Sequence, residues 1–233
     1  MDLGLTGRVA IVTAASKGLG RASARALSAE GARVVLNATA LAELQSSLDD
    51  AIVVVGDITD PDLPARLVDA AMATWGRVDI VVANAGGPPT GSALEVTDEQ
   101  ILAAVSANML ASVRLARAAV PHMRAQGWGR LCFIASVSVR QPIRDLALSN
   151  VSRTALWAWT KTAAQDLAEA GITVNLAAPG LHATDRLIER GVTGRTGDPE
   201  DFGRVVAFLC SEPAKFVNGI ALGVDGGAVL GLL

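Results

Sequence analysis

The stretch Thr13-Ala14-Ala15-Ser16-Lys17-Gly18-Leu19-Gly20 decides the fold of this chain. It follows a β-branched run, predicted as a strand at Val9–Thr13, and precedes a helical pattern at Arg21–Glu30. A glycine-rich turn between a strand and a helix lets backbone N–H groups approach a pyrophosphate, whose charge the helix N-terminus favours. The turn therefore predicts a dinucleotide site, although on its own it could merely cap a helix.

Short apolar runs and longer helical patterns alternate along the chain, which is typical of βαβ units and a parallel sheet. Ile52–Val55 is unbroken in its apolar character, which predicts a strand covered on both faces. The other predicted strands are Arg33–Asn37, Val78–Ala83, Leu131–Ala135, Ile172–Leu176 and Ile220–Val224. The predicted helices are Asp98–Gln126 with the capping pair Thr97 and Gln100, Leu146–Ala170, and Pro199–Cys210 with Asp198 as N-cap.

No linker or repeat divides the sequence. We therefore expect one α/β domain over residues 1–233, a single Rossmann-type, doubly wound parallel sheet of about seven strands with helices on both faces.

Composition narrows the function classes. The chain has 233 residues, of which 51% are hydrophobic, and a formal net charge of −3. It can bury a large core, and its mild acidity gives no reason to expect nucleic acid or an anionic membrane as partner. Cys132 and Cys210 lie in apolar surroundings without metal-ligand spacing, so we expect buried thiols and no metal site. The start lacks the pattern of a signal peptide, and the apolar runs fall short of a membrane span, so we expect a cytoplasmic protein.

Four further motifs follow predicted strands: Gly56-Asp57-Ile58-Thr59, Asn84-Ala85-Gly86, Pro179-Gly180 with Thr184, and Val224-Asp225-Gly226-Gly227. With the glycine turn, they resemble the short-chain dehydrogenase/reductase family over essentially the whole chain, and in particular its 3-oxoacyl-carrier-protein reductase-like members. The resemblance implies a nicotinamide dinucleotide and a small-molecule carbonyl or hydroxyl substrate, of the 3-oxoacyl type in those members. The residues that it assigns to the cofactor are Thr13, Ser16, Lys17, Gly18, Leu19, Gly20, Asp57, Ile58, Asn84, Ala85, Gly86, Arg153, Pro179, Gly180 and Thr184.

Ala14 departs from the family's glycine motif, which has a glycine at this position. If the position needs a positive φ, a Cβ there costs about 1 kcal/mol, which weakens the site without abolishing it.

The choice between NAD and NADP depends on the end of the second predicted strand. An NAD enzyme usually has Asp or Glu there to hold the ribose 2′-OH, whereas this chain has Asn37-Ala38-Thr39, with no acid to repel a 2′-phosphate. In NADP-dependent members of the family, a lysine at the place of Lys17 reaches that phosphate, although Lys17 could also be a solvated loop residue. The Arg that often follows this strand in those members is missing, with Thr39 in its place. We predict NADP as the cofactor, ahead of NAD.

The family's catalytic residues are Asn, Ser, Tyr and Lys, and here the chain departs from the pattern. Asn108 and Ser136 occupy the places of the residues that hold a proton-relay water and polarise the substrate oxygen. Ser149, about thirteen residues after Ser136, takes the place of the general-acid Tyr, and Arg153 that of the Lys which grips the nicotinamide ribose. Because the chain contains no Tyr, no other alignment restores the usual acid.

This departure weakens proton delivery rather than hydride transfer, which belongs to the cofactor. A serine hydroxyl is a far weaker acid than a phenol with a pKa near 10, and Arg153 effectively never loses its proton. Ser149 and Arg153 lie at i,i+4 on one helix face, where they could bind an oxyanion or order a water, or only support the cofactor or the fold. Loss of a general acid costs about 10²–10⁴-fold in rate. We predict an NADP-preferring oxidoreductase; the alternative is a dinucleotide-binding sensor or subunit partner without turnover.

Other residues near the expected substrate keep two interpretations each. His182 could replace the missing acid or take no part in catalysis. Arg140 and Arg144 could attract an anionic substrate or be ordinary surface residues. Trp157 and Trp159 lie on the long helix that, in the family that the chain resembles, often packs against its copy in another subunit, and an exposed apolar helix face usually marks an interface. The apolar end Ala228–Leu233 also often lies at an interface in that family, so we predict a homodimer or homotetramer.

Overall fold

Seven parallel strands form one sheet in the computed structural model, which describes residues 1–38, 48, 50–189, 191 and 193–231, with the backbone alone of Arg186. The strands are β1 (Val9–Val12), β2 (Arg33–Ala38), β3 (Ala51–Val55), β4 (Ile80–Ala83), β5 (Gly129–Ile134), β6 (Ile172–Pro179) and β7 (Ala221–Val224). Their order across the sheet is β3-β2-β1-β4-β5-β6-β7. The predicted seven-stranded parallel sheet is confirmed. The strand order reverses beside β1, and ligands of such sheets bind outside the carboxyl ends of the strands at this reversal.

Helices cover both faces of the sheet. They are α1 (Gly18–Ala29), α2 (Leu63–Trp75), α3 (Asp98–Val105), α4 (Ala111–Gln126), α5 (Ala147–Leu167), α6 (Asp185–Glu189) and α7 (Pro199–Leu209). Alternate residues of β1 point to opposite faces: Val9 and Ile11 pack in one core cluster with α2, α4 and α5, while Ala10 and Val12 pack in another with α1 and α7. The doubly wound arrangement is confirmed.

The caps expected from the sequence form. Thr97 and Gln100 make a reciprocal capping box at the start of α3, and the Asp198 side chain accepts a hydrogen bond from the Glu200 N–H at the start of α7. α1 begins at Gly18, three residues before the predicted Arg21, because the glycine turn itself forms the first helical turn.

The helix predicted over Asp98–Gln126 contains a widened turn. A π-helical segment, Ser106–Leu110, joins α3 to α4, and Asn108 lies buried at its centre. Single π turns within α-helices are rare and occur frequently at functional sites.

By length and composition, the same helix could cross a membrane, since an 18-residue window within Asp98–Gln126 has a mean hydropathy of 1.3. The expectation that every apolar stretch is too short for a membrane span is therefore not met by this helix. In the structure this helix lies against β4, β5, α2 and α5. Core helices of soluble proteins pass the same test of length and composition, so this finding assigns no membrane to the chain.

Three other elements differ from the sequence-based expectations. β3 is the edge strand of the sheet, so it is only half-buried and Val55 is 58% exposed, rather than covered on both faces. Neither α2 nor the short helix α6 was predicted from the sequence. The helix α2 begins after Asp62 without a side-chain cap and ends at Gly76 in the left-handed conformation.

The two cysteines, far apart in sequence, meet on one face of the sheet. Cys132 lies on β5 and Cys210 follows α7, and both are buried, as expected. The neighbouring thiol of Cys132, followed by burial, raises the pKa of Cys210. Among the residues that the structure describes, no cluster of metal-ligand side chains includes them.

A cluster of charged and aromatic side chains holds the amino ends of the strands. The guanidinium groups of Arg8 and Arg130 lie 3.8 Å and 4.1 Å from the centroid of the Trp128 ring. The Trp128 indole donates to a carboxylate oxygen of Glu212 at 2.7 Å, and Asp79 accepts two hydrogen bonds of 2.7 Å from Arg77. This cluster lies at the opposite end of the sheet from the predicted site.

Candidate active site

A cavity of about 460 Å³ opens at the carboxyl ends of the central strands. We call it the main cavity. The predicted site residues that line it are Ser16, Lys17, Gly18, Leu19, Asn84, Ala85, Gly86, Ser136, Ser149, Arg153, Pro179, Gly180 and Thr184. Thr13, Gly20, Asp57, Ile58 and Asn108 lie outside its lining. The structure therefore brings both halves of the predicted site together, the glycine turn and the atypical catalytic positions.

The glycine turn has the strained geometry that its sequence suggested. Ala14 has a φ of 47°, so this position does require the conformation that favours glycine. A Cβ on Gly20 would collide with the backbone oxygen of Ala14 and would lie 2.8 Å from the Asn84 amide nitrogen. Gly20 therefore serves close packing behind the turn, which explains its absence from the cavity lining.

The start of α1 is arranged to accept an anion. Lys17 is its N-cap with extended backbone, and no side chain caps the helix. The first-turn N–H groups therefore lack a side-chain acceptor, and two of them belong to Gly18 and Leu19, which line the main cavity. A Cβ on Gly86, across the cavity, would meet no atom within 4 Å. The residues present thus fit a bound pyrophosphate.

Thr13 acts behind the turn rather than in the cavity. Its hydroxyl donates to the Asn84 backbone oxygen at 2.7 Å and accepts from the Asn84 N–H at 2.8 Å. The loop after β4 is thereby fixed to the end of β1.

The end of β2 has no carboxylate among the residues that the structure describes. The Asn37 amide donates to the backbone oxygens of Val54 and Gly56 at 3.1 Å and 3.0 Å, which joins β2 to β3. Thr39 lies outside the described residues. Asp57 is exposed, and hydrogen bonds from the Thr59 N–H and hydroxyl hold the pKa of the Asp57 carboxyl below its usual value.

Ser136, Ser149 and Arg153 meet on the side of the main cavity formed by β5 and α5. Ser136 accepts a hydrogen bond from the Ser138 N–H at 3.1 Å, which fixes its oxygen just past the end of β5. Arg153 is buried and donates from Nη1 to the backbone oxygens of Ile134 and Ala135 at 3.0 Å and 2.9 Å. Ser149 as a residue is 8% exposed, and its hydroxyl makes no hydrogen bond with the described residues. The chain thus places a fixed positive charge and two hydroxyls along one wall.

Asn108 lies behind this wall. Its amide nitrogen donates to the Ala104 oxygen at 3.2 Å, while its buried Oδ1 has no partner among the described residues. The π turn that carries it packs against α5. A buried acceptor without a partner is a suitable place for an ordered water.

His182 does not replace the missing acid. It is buried outside the main cavity, with its ring edge-to-face on Phe202 at a centroid distance of 5.1 Å. Its Nδ1 lies 3.3 Å from the Gly180 oxygen. The interpretation in which His182 takes no part in catalysis agrees with this packing. Arg140 and Arg144 are exposed and line neither the main cavity nor the cleft beside it.

A second cavity, of about 300 Å³, adjoins the main cavity; we call it the side cleft. The two share Ser136, Leu146, Pro179 and Gly180. The rest of the lining is Val137, Gln141, Ile143, Leu181, Ala228 and Val229. None of these residues was predicted from the sequence as a site residue. Ala228 and Val229 belong to the end Ala228–Leu233, which was predicted as part of an interface. Residues 232–233 of that end lie outside the described residues.

Comparison with known proteins places this site in a family. A family model described as enoyl-(acyl carrier protein) reductase matches residues 13–229. Dehydrogenase/reductase SDR family member 4 of Oryctolagus cuniculus is 36% identical over 248 residues, which cover 96% of this chain and 94% of that protein. The chain belongs to the short-chain dehydrogenase/reductase family of oxidoreductases. Versicolorin reductase of Emericella nidulans, another relative, is 34% identical over 255 residues, which cover 96% of each protein.

Solved structures of the family agree with the fold. L-sorbose reductase from Gluconobacter frateurii, in complex with NADPH and L-sorbose, superposes with a TM-score of 0.94 at 32% identity over 100% of both chains. The similarity to the short-chain dehydrogenase/reductase family therefore covers the whole chain, including both walls of the main cavity.

Proposed function

We propose that the chain is an NADP-dependent oxidoreductase that interconverts a small-molecule carbonyl compound and its alcohol, with the whole chain as one dinucleotide-binding domain. The observation that carries the proposal is the main cavity, in which the uncapped start of α1 and the wall of Ser136, Ser149 and Arg153 face one space. The NADPH bound to the similar L-sorbose reductase supports the choice of cofactor.

In this proposal the first turn of α1 would hold the pyrophosphate, and Lys17 would pair with the 2′-phosphate. The absence of a carboxylate at the described end of β2 avoids repulsion of that phosphate. Pro179, Gly180 and Thr184 line the same cavity as Ser136 and would hold the nicotinamide end.

The chemistry then divides between the cofactor and the side chains. When bound, NADPH supplies a hydride to the carbonyl carbon. Ser136 donates a hydrogen bond to the carbonyl oxygen, and the fixed charge of Arg153 stabilises the negative charge that develops there. Since neither Ser149 nor Arg153 is a competent acid near neutral pH, the proton comes from water in the cavity, and Ser149 orders that water.

A dinucleotide-binding protein without turnover is the second candidate. The observation that favours it is the replacement of the usual Tyr by Ser149, whose hydroxyl has no partner among the described residues. Both candidates require the same cofactor site, so they are separated by turnover and not by binding.

Calorimetry with NADPH and NADH tests the cofactor site. We expect NADPH to bind at micromolar concentration or more tightly, and NADH more weakly. Lys17→Ala should weaken NADPH about tenfold through loss of a charge-assisted contact, and leave NADH unchanged. Arg21→Ala, an exposed change on α1 outside the cavity lining, is the control. Binding of neither dinucleotide would overturn the proposal.

Single-turnover NADPH oxidation tests catalysis. We expect slow reduction of activated carbonyl compounds by the native protein and a large loss in Ser136→Ala. The double variant Ser149→Tyr with Arg153→Lys should be faster than the native protein, because it restores a phenol and its lysine at i,i+4. Native turnover that Ser136→Ala leaves untouched would show the active-site assignment to be wrong. Tight NADPH binding without turnover across a broad carbonyl and alcohol panel would favour the second candidate.

We also propose that the chain forms a homodimer or homotetramer in the cytoplasm. The support for assembly differs from the expected one. Trp157 and Trp159 are only partly exposed and pack against the core, with Trp159 edge-to-face on Phe133. Exposed apolar side chains are instead Val151 on α5 and Leu102 on α3, the helix that packs against α5, at 50% and 69% exposure.

A further inference from the structure

We propose that the side cleft is the substrate subsite, and that it selects a carbonyl compound with an apolar alkyl or aryl group of up to about ten heavy atoms. This inference rests on the proposed function and names its substrate class. The size follows from the cleft volume of about 300 Å³, given that a water-sized group takes about 30 Å³ in the liquid.

The position of the cleft makes it the place for the substrate. It meets the main cavity at Ser136, the residue proposed to polarise the substrate oxygen, and at Pro179 and Gly180. When the carbonyl oxygen of a substrate is hydrogen-bonded to Ser136, the rest of that substrate can therefore extend into the side cleft.

The lining of the cleft sets the chemical class. Among the described residues it contains no charged side chain, and Gln141 is its one polar side chain beyond Ser136. Ile143, Leu181 and Val229 supply aliphatic surface. Most hydroxyls of a polyol placed there would lose their water without gaining a partner, because Gln141 and Ser136 could serve only one or two of them, and that loss is costly. An apolar group, by contrast, gains from leaving water.

The walls of the cleft are fixed in advance of binding. The side chain of Asn150 on α5 accepts from the Ile143 N–H at 3.3 Å and donates to the Ile143 oxygen at 2.9 Å. The carboxylate of Asp225 accepts from the N–H groups of Gly227 and Val229, both at 3.0 Å. Two side chains thus hold opposite parts of the lining by the backbone, and less ordering remains to oppose substrate binding.

The test measures binding of 2-butanone, 2-hexanone, 2-octanone and L-sorbose to the protein saturated with NADP⁺, by calorimetry. We expect affinity to rise about fourfold for each added methylene group of the ketone, and L-sorbose to bind far more weakly than 2-octanone. Equal affinity across the ketone series, or L-sorbose binding as tightly as 2-octanone, would overturn the inference.

Ile143→Asn and Val229→Asn are the informative variants, since both residues line the side cleft and not the main cavity. We expect at least tenfold weaker binding of 2-octanone with NADP⁺ affinity unchanged. Ile188→Asn, at a residue 69% exposed and outside both linings, is the matched control and should bind 2-octanone as the native protein does. If the variants bind 2-octanone as the native protein does, the side cleft is not the subsite.

The two proposals fail in different ways. Loss of NADP⁺ binding in the native protein would count against the proposed function, because the cofactor site comes first. Retained NADP⁺ binding without the chain-length dependence would overturn the side-cleft inference alone. The ketone series on the native protein gives this answer even if a variant does not fold.

Discussion

Arg153 donates a hydrogen bond from Nη1 to the backbone oxygen of Ala135, 2.9 Å away, just before Ser136. Arg153 takes the place of the lysine that grips the cofactor ribose in the family. Here the same side chain also holds the end of β5, next to Ser136.

Arg153→Met should consequently reduce both stability and cofactor affinity. The change leaves the buried oxygens of Ile134 and Ala135 without this donor, and we expect the free energy of unfolding to fall by about 1–3 kcal/mol. Urea denaturation measures this, and NADPH calorimetry the affinity. Arg114→Met is the matched control: Arg114 is half-buried and donates a hydrogen bond at the protein surface to the Thr59 oxygen, and its loss should change stability by about 0.5 kcal/mol or less. Equal effects of the two changes would contradict the structural role of Arg153.

Ala14→Gly should stabilise the protein, because Ala14 holds a positive φ that costs an alanine about 1 kcal/mol. For a chain of this size we expect a rise in Tm of about 2–4 °C per kcal/mol gained. The matched change Ala15→Gly, at a buried position without positive φ, should lower Tm through added unfolded-state entropy and lost packing. A lower Tm for Ala14→Gly than for the native protein would show that the turn is not strained.

Glu212 should make stability depend on pH in acid. The hydrogen bond from the Trp128 indole, followed by the nearby Arg130 and Lys215, lowers the pKa of the Glu212 carboxyl. Because the folded pKa lies below the unfolded one, the contribution is complete above the unfolded value of about 4.3 and is lost as pH falls through the folded value. Since the carboxyl is partly exposed, we expect a small effect.

Glu212→Gln keeps an acceptor for Trp128 and removes the charge. Denaturation with urea at pH 7 and at pH 3 should show the native protein more stable than this variant at pH 7 and the two closer together at pH 3. A difference that stays the same at both pH values would refute the assignment.

Val151→Lys should weaken self-association, because Val151 is half-exposed on α5 beside α3. Light scattering should show a lower mass for this variant than for the native protein at micromolar concentration. Ile188→Lys, on α6, is a control of equal charge and similar exposure that should leave the mass unchanged. A monomeric native protein would refute the proposed assembly directly.

The strands and most helices could be predicted from the sequence because their signals are local. Runs such as Val78–Ala83 and caps such as Thr97 with Gln100 need no knowledge of the rest of the chain. The helix α2 had weaker signals: Asp62 makes no cap bond, and Pro64 lies in its first turn. A signal for α2 was nevertheless present: Leu63, Leu67 and Ala71 have helical apolar spacing, and Gly76 ends the pattern, so the helix could have been predicted.

The parts of the candidate site in which a motif sets the backbone geometry could be predicted from the sequence. The contacts of individual side chains with residues distant in sequence could not. The glycine turn, Asn84 and Ser136 lie together as the motifs predicted. Nothing in the sequence near His182 reveals that its ring packs on Phe202, and nothing near Asn37 shows that its amide joins two strands. The side cleft depends on Asn150 and Asp225 holding distant backbone, which no local pattern indicates.

The π turn at Ser106–Leu110 sets both the direction of Asn108 and the residues of α4 that face the core, because it rotates the helix about its axis. Each residue of an α-helix advances the chain about 100° around the axis, and a π turn uses about one residue more per turn. Everything after Leu110 is therefore out of phase by roughly that angle with the helix that precedes it. In this shifted phase, Val113, Ala116 and Met123 pack in the same core cluster as Val81 and Phe133 of the sheet. Deleting one residue from this segment would thus have one of two results. Either Asn108 stays buried and the apolar side chains of α4 turn away from the core, or the core packing is kept and Asn108 turns away from its buried position. The chain cannot shorten here without losing one of the two.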